Sequence, residues 1–280
     1  MPADPRVASI LPTTPMAPGP VLLLAGDGVE VEVAAEAGGR IARIRCDGVE
    51  QLVGHGDHGS TAAIAWGSYP MVPWCGRIRD GRFDFDGSPR ELPRNLESHA
   101  IHGVGYLLPW RVVEHSSRHA VLELALPEDA RWPFGGTARQ VISLDGRCLA
   151  MDLSVTAGEQ AMPVTLGWHP WFLKPERLEF APQAMYPRDA GNITLLPPGQ
   201  VHPGPWDDCF INHAPVVVHR GAQRIRLSSA CTDWVVYDEQ PHATCIEPQT
   251  APPDGFNLAP ECRLEPGQTR AATYTMEWLP

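Results

Sequence analysis

Val29-Glu30-Val31-Glu32-Val33 alternates apolar side chains with carboxylates. A period of two is that of a strand with one face buried and one in water. The residues that follow repeat the pattern. Gly38-Gly39 turns the chain, Ile41-Ala42-Arg43-Ile44-Arg45-Cys46 predicts the next strand, and Asp47-Gly48 closes it with a turn dipeptide. Gly81-Arg82-Phe83-Asp84-Phe85-Asp86-Gly87 has the same form. Strands are also predicted from Ile64–Trp66 towards Pro70, and over 120–126, 138–144 and 148–156. The last two are joined through Asp145-Gly146-Arg147 as a hairpin. Pro163–Phe172 ends a strand in an aromatic cluster. Later strands are predicted at 178–181, 192–196, 215–219, 223–228, 233–238, 243–247 and 270–278, while the polar stretch 88–100 reads as a loop. No window carries a 3.6-residue apolar stripe, strands do not alternate with helices, and no repeat has a constant period. The expectation is an all-β fold, a large antiparallel sandwich forming one domain over 21–280 behind an extended lead-in over 1–20.

Composition fits that class. The 280 residues include 30 Pro and 26 Gly, a turn-rich content. The net charge of −11 argues against nucleic acid and anionic membranes as partners and leaves a neutral ligand open. Seven scattered cysteines form no Cys-x-x-Cys pair, which suits reduced thiols better than a disulfide framework or a zinc knuckle. Arg6 is the only basic residue before Val21, and the apolar run Val21–Leu24 is too short for a signal or membrane span. A cytoplasmic protein is expected. His55, Asp57 and His58 lie in a glycine-rich stretch and read as a solvated turn before they read as a metal site.

One further stretch carries chemistry. Ala243-Thr244-Cys245-Ile246 is an apolar run that delivers a carboxylate, Glu247, where it stops, and three prolines follow within six residues. Proline stiffens the backbone and gives no ladder donor, so the acid is held in place. Two histidines stand in comparable settings: His102 in Ile-His-Gly and His169 in Gly-Trp-His-Pro-Trp-Phe. An imidazole near its ordinary pKa can act as general acid at neutral pH. Trp168 and Trp171 could stack on a sugar face or pack in the core.

The chain resembles the aldose 1-epimerase (galactose mutarotase) family. The resemblance rests on Gly76-Arg77-Ile78 with Gly81-Arg82-Phe83, His102-Gly103 with Trp110, and Gly167-Trp168-His169-Pro170-Trp171-Phe172. It also rests on Asp207-Asp208-Cys209-Phe210, and on Glu247-x-Gln249 followed by Pro253-Asp254-Gly255-Phe256-Asn257. It implies a β-supersandwich and epimerisation at the anomeric carbon of an aldose without metal or cofactor. By resemblance Glu247 takes the C1 hydroxyl proton and His169 protonates the ring oxygen. His102 holds the ring oxygen region, and Arg77 and Asp207 (or its neighbour Asp208) hold hydroxyls, with Trp171 and Gln249 lining the substrate. The implied partner is a small sugar, and the chain would act as a monomer or homodimer. Two departures leave the sugar open: Gly76 stands where the family commonly has Asn, and the loop after Glu247 has one residue more. The short stretch after His102 also resembles the branch acting on hexose 6-phosphates. The competing readings are a non-catalytic carbohydrate-binding protein and a glycoside hydrolase, which needs a second carboxylate such as Asp207 or Asp254 opposite Glu247.

Overall fold

The computed structural model describes residues 11–280. The half of the lead-in over 1–10 lies outside the described residues. The part that is described hydrogen-bonds to the segment around Ala63, with Met16 N donating to Thr61 O and Ala63 N to Thr14 O.

Two large sheets dominate. The first has ten strands. Its path runs Leu22–Gly26, Val29–Ala34, Arg40–Cys46, Ser68–Met71, Gly167–Leu173, Ala243–Gln249, Asp233–Tyr237, Asp207–Ile211 and Ala184–Met185, with Val49–Glu50 added beside Arg40–Cys46. The second has eight strands, in the order Arg111–Ser116, His119–Ala125, Thr137–Asp145, Cys148–Thr156, Thr269–Leu279, Gln223–Ser229, Val216–Arg220 and Arg177–Glu179. The ladders within both are antiparallel. The fold is therefore the all-β antiparallel sandwich that the alternation demanded. Thr137–Asp145 and Cys148–Thr156 pair residue for residue across the two-residue turn Gly146-Arg147.

The strand Gly167–Leu173 shows how the layers divide. Its even-numbered side, Trp168 and Phe172, enters the core between the sheets and meets Tyr274 of the opposite sheet, 5.8 Å from Trp168 ring to ring. Burying one such indole is worth several kcal/mol, so this face fixes which side of the strand points away from the core. Gly167, His169 and Trp171 consequently face outwards.

Four local expectations are corrected. Residues 64–66 are bends and turns, and the strand begins at Ser68, because Gly67 takes a left-handed φ of 72°. Within 88–100, Ser88–Glu91 is a strand: the Asp86-Gly87 turn folds it back onto Arg82–Phe85. Residues 192–196 form no named strand. Asp189 there accepts from the backbone N–H of Gly191 and Ile193, and Asn192 has φ 58°, which makes a turn. The run Ala243–Gln249 does not stop at Glu247; it passes through Pro248. The ladder to Gly167–Leu173 is interrupted between the pairs Gly167↔Gln249 and Trp171↔Cys245, so the missing donors of Pro170 and Pro248 fall in one gap.

Candidate active site

Register alone brings the main residues together. Counting inward from Gly167↔Gln249 and Trp171↔Cys245 sets His169 opposite Glu247. The neighbouring ladders extend the row, with Tyr69 beside His169 and Val235 beside Glu247. One step along the strands, Trp171, Cys245, Tyr237 and Asp207 form a second row on the same face. Side chains two apart on a strand share a face, so a single surface of the ten-stranded sheet collects these groups.

That surface is the floor of a cavity of about 320 Å³ whose lining includes Arg77, His102, His169, Asp207, Glu247 and Gln249. All seven residues singled out in the sequence border it, Trp171 among them. His169 Nε2 lies 3.2 Å from Glu247 Oε1. Gln249 Nε2 donates to the other carboxylate oxygen, Oε2, at 3.2 Å. The His169 ring is stacked between Tyr69 (4.8 Å) and Trp171 (5.4 Å), and Trp171 is pinned by its indole N–H donating to Ile64 O at 2.8 Å. Behind Tyr69 lies Arg40, fully buried, donating to the carbonyls of Ala37, Ala63, Trp66 and Tyr106. Its guanidinium stands 5.2 Å from the Tyr69 ring centre, and burial brings its pKa down to about 10.

A second layer supplies the rest. Arg77–Ile78 pairs with Ala100–Ile101, and His102 follows at once with a left-handed φ of 59°, its backbone N–H on Gly76 O. This turn carries its imidazole to the cavity, 5.0 Å from His169 and edge-on to it. The turn needs Gly103, since a Cβ there would lie 2.0 Å from Val72 O. The two departures from the family pattern meet in space: a Cβ on Gly76 would come within 2.6 Å of Pro253, in the loop after Glu247. The same loop is tied down by Asp254, whose N–H donates to Arg77 O and whose carboxylate accepts from Arg79 N.

Burial sets the electrostatics. It drives the Glu247 carboxyl well above the usual range, reinforced by Asp207 and opposed by Gln249 and Arg77. It lowers His169 to about 3. His102 is also pushed well below its ordinary value, by burial first and then by His169 and Arg77. Asp207 is raised by burial, with Arg77 and Arg188 working against the shift. The floor thus favours the neutral forms of its acid and its imidazoles, with His169 Nε2 and Glu247 Oε1 in close contact.

Several groups were not visible in the sequence. Arg188 reaches Asp207 (3.2 Å), Asp208 (3.0 Å) and the Asn192 side chain (2.9 Å), and with Asn192 and Thr194 it walls the cavity. It sits in an aperiodic turn segment that gives no signal. Tyr237 could have been found by extending the period-two face from Asp233, on the strand beside Glu247. Asp207 and Asp208 both border the cavity, and the one that shares the floor's face is Asp207. Trp168 faces the core and is no part of the site. His55 and His58 pack instead on Trp66 and His242, and Asp57 accepts from Gly54 N.

Comparison with known proteins identifies the family and the fold. The profile described as aldose 1-epimerase matches residues 20–277, so the chain belongs to the aldose 1-epimerase family. Uncharacterized protein YphB of Escherichia coli K12 is 33% identical over 107 residues, 37% of this chain and only 36% of that protein. Uncharacterized protein YihR of the same organism is 25% identical over 267 residues, 85% of each chain. Among solved structures, an Escherichia coli K12 protein named as a candidate aldose 1-epimerase has a TM-score of 0.80 at 21% identity, covering 93% of this chain and 99% of its own. Galactose 1-epimerase from Lactobacillus acidophilus has a TM-score of 0.77 at 18% identity, with 91% and 92% covered. At these identities the structural likeness is one of fold. Among the described residues no helix is long and apolar enough to cross a membrane.

Proposed function

We propose that this protein interconverts the α and β anomers of a free aldose by opening and reclosing the sugar ring, with Glu247 and His169 as the proton-transfer pair. The observation that carries the reading is their 3.2 Å contact on the cavity floor. The hydroxyl oxygen O1 and the ring oxygen O5 sit on the same carbon, so a base and an acid must stand side by side to serve both.

Glu247 as carboxylate takes the proton from O1. The electrons of that bond make C1=O1, the C1–O5 bond breaks, and O5 takes the proton of the His169 imidazolium. Rotation about C1–C2 and the reverse transfers give the other anomer. The open-chain sugar therefore coexists with a protonated Glu247 and a neutral His169. That is the state burial favours. The ionised pair needed for opening forms when a proton crosses the short contact, and Arg77, which favours the Glu247 carboxylate, assists it. Each proton-transfer partner is typically worth a factor of about 10²–10⁴.

On this reading Arg77 and Asp207 pair with hydroxyls of a neutral polyol, Trp171 meets an apolar sugar face and His102 holds the ring-oxygen side; all four border the cavity. The lining does not suit a phosphorylated sugar: it offers Arg77 and Arg188 against the carboxyls of Asp207, Asp208, Glu239 and Glu247. Arg188 is already committed to two of those carboxyls. A purely binding protein has no use for a buried acid–imidazole contact, which is costly to bury. The test is polarimetry on fresh α-D-glucose and α-D-galactose with wild type, Glu247→Gln and buffer alone. Faster approach to anomeric equilibrium with wild type only supports the proposal. No acceleration on any free or phosphorylated aldose, with sugar still bound, would make the chain a binder.

A further inference from the structure

At the cavity floor stands a donor set larger than the proton-transfer pair, with one member, Cys245, fully buried just behind the lining. Cys245 precedes Glu247 by two residues on one strand and so lies on the same face. Imidazole nitrogen, thiol sulfur and carboxylate oxygen of His169, Cys245 and Glu247 all lie within 4.8 Å of one another, and all three residues are buried. These are the three side-chain ligand types of zinc. Zinc holds them at about 2.0–2.3 Å, which spaces tetrahedral ligands about 3–4 Å apart. The His169–Glu247 edge is already at 3.2 Å. The sulfur, within 4.8 Å of the other two donors, has to draw in by up to about 1 Å.

The geometry points to a Zn²⁺-binding site formed by His169, Cys245 and Glu247, through which zinc reversibly inhibits the sugar reaction. The inhibitory half of this inference rests on the proposed epimerase reading; the binding half does not. Three protein ligands leave a fourth position for water; His169 and Glu247 border the cavity, while Cys245 is buried in the apolar cluster beside them. Two of the ligands are held in place: Gln249 fixes Glu247 through Oε2 and leaves Oε1 free, and Tyr69 stacks on the His169 ring. Zinc displaces the Glu247 carboxyl proton and the Cys245 thiol proton, so a +2 ion replaces two protons and the net charge of the floor is unchanged. His169 Nδ1 has no hydrogen-bond partner among the described residues, so the outer support usual for a zinc-bound histidine is missing. The site is therefore suited to reversible occupancy and not to a permanent structural ion.

The experiment combines calorimetric Zn²⁺ titration, Co²⁺ absorption and sugar turnover on the full chain. Wild type should bind one zinc per chain, lose turnover as it does so and recover it with a chelator. With Co²⁺ it should show a thiolate-to-cobalt charge-transfer band in the near ultraviolet. Cys245→Ala should weaken Zn²⁺ binding by on the order of 100-fold while still turning over sugar in metal-free buffer. No binding at millimolar Zn²⁺, binding unchanged in both Cys245→Ala and Cys245→Ser, or a cobalt spectrum without the thiolate band would overturn the site. The cobalt band on wild type decides the matter if the variants do not fold. A wild type that shows the band but never turns over sugar would remove the epimerase reading and leave the metal site standing.

Discussion

The floor and the side wall of the cavity are built in different ways. On the floor, His169 and Glu247 are cross-strand neighbours, and their separation is set by the same ladder register that builds the sheet. On the wall, Arg188, Asn192 and Thr194 come from a turn, and their places are set by side-chain bonds: Arg188 to two aspartates, and Asp189 to Arg79 at 2.8 Å. His99 closes the turn, accepting from Asp80 N and meeting Gly191 O at 3.1 Å. A register cannot shift by one residue without turning His169 and Glu247 into the core. A turn can be altered side chain by side chain. On the proposed function, the floor would carry the proton transfer and the wall the choice of sugar.

Substitutions can test that division. The largest effect is expected on the floor, where Glu247→Gln or His169→Gln should each lower kcat/KM by about 10²–10⁴, measured by polarimetry. If both variants keep near wild-type rates, the register argument has picked the wrong pair. On the wall, Arg188→Met should raise KM about tenfold with kcat changed much less. Such a loss fits removal of the group that holds Asp207 and Asp208 in place. A kcat loss equal to that of Glu247→Gln would erase the distinction between floor and wall.

Stability against pH sharpens the same contrast. The folded His169 pKa lies near 3, below the 6.5 of an exposed imidazole. Its contribution is therefore fully present above pH 6.5 and lost as pH falls towards the folded value, by up to about 1.4 kcal/mol per pH unit. His169→Gln should decline less steeply than wild type between about pH 6 and 4 in urea unfolding. Glu247 has the opposite sign, since its raised pKa means stability is lost as pH rises. Glu247→Gln should accordingly raise Tm at pH 7 while lowering turnover by about 10²–10⁴. The smallest effect is expected at the wall's closure: His99→Asn should cost about 0.5–1.5 kcal/mol, the worth of a hydrogen bond, and change KM by less than Arg188→Met.

Much of this was legible in the chain itself. Alternation in Val29–Val33 and the Asp-Gly and Gly-Gly turns specify paired strands, because a period of two suits only a pleated, half-buried surface. Glu247, His169 and His102 stood out because rigid Pro and Gly contexts surround them. Ser88–Glu91 was hidden because its side chains are polar and its strand exists only by pairing with Arg82–Phe85. The two roles of Trp168 and Trp171 differ only by strand parity, which shows once the core face is known. Arg188 and Arg40 gave no local sign. One is defined by aspartates nineteen and twenty residues later in the chain. The other is defined by carbonyls as far away as Tyr106.

The sequence by itself determined that the chain makes antiparallel β-structure and which few residues could move protons, since both follow from local periodicity and side-chain chemistry. Only the tertiary structure decided that Glu247 touches His169 and that burial pushes both towards neutrality. Contact and desolvation depend on which strands become neighbours, and that choice is made by the packing of the whole core.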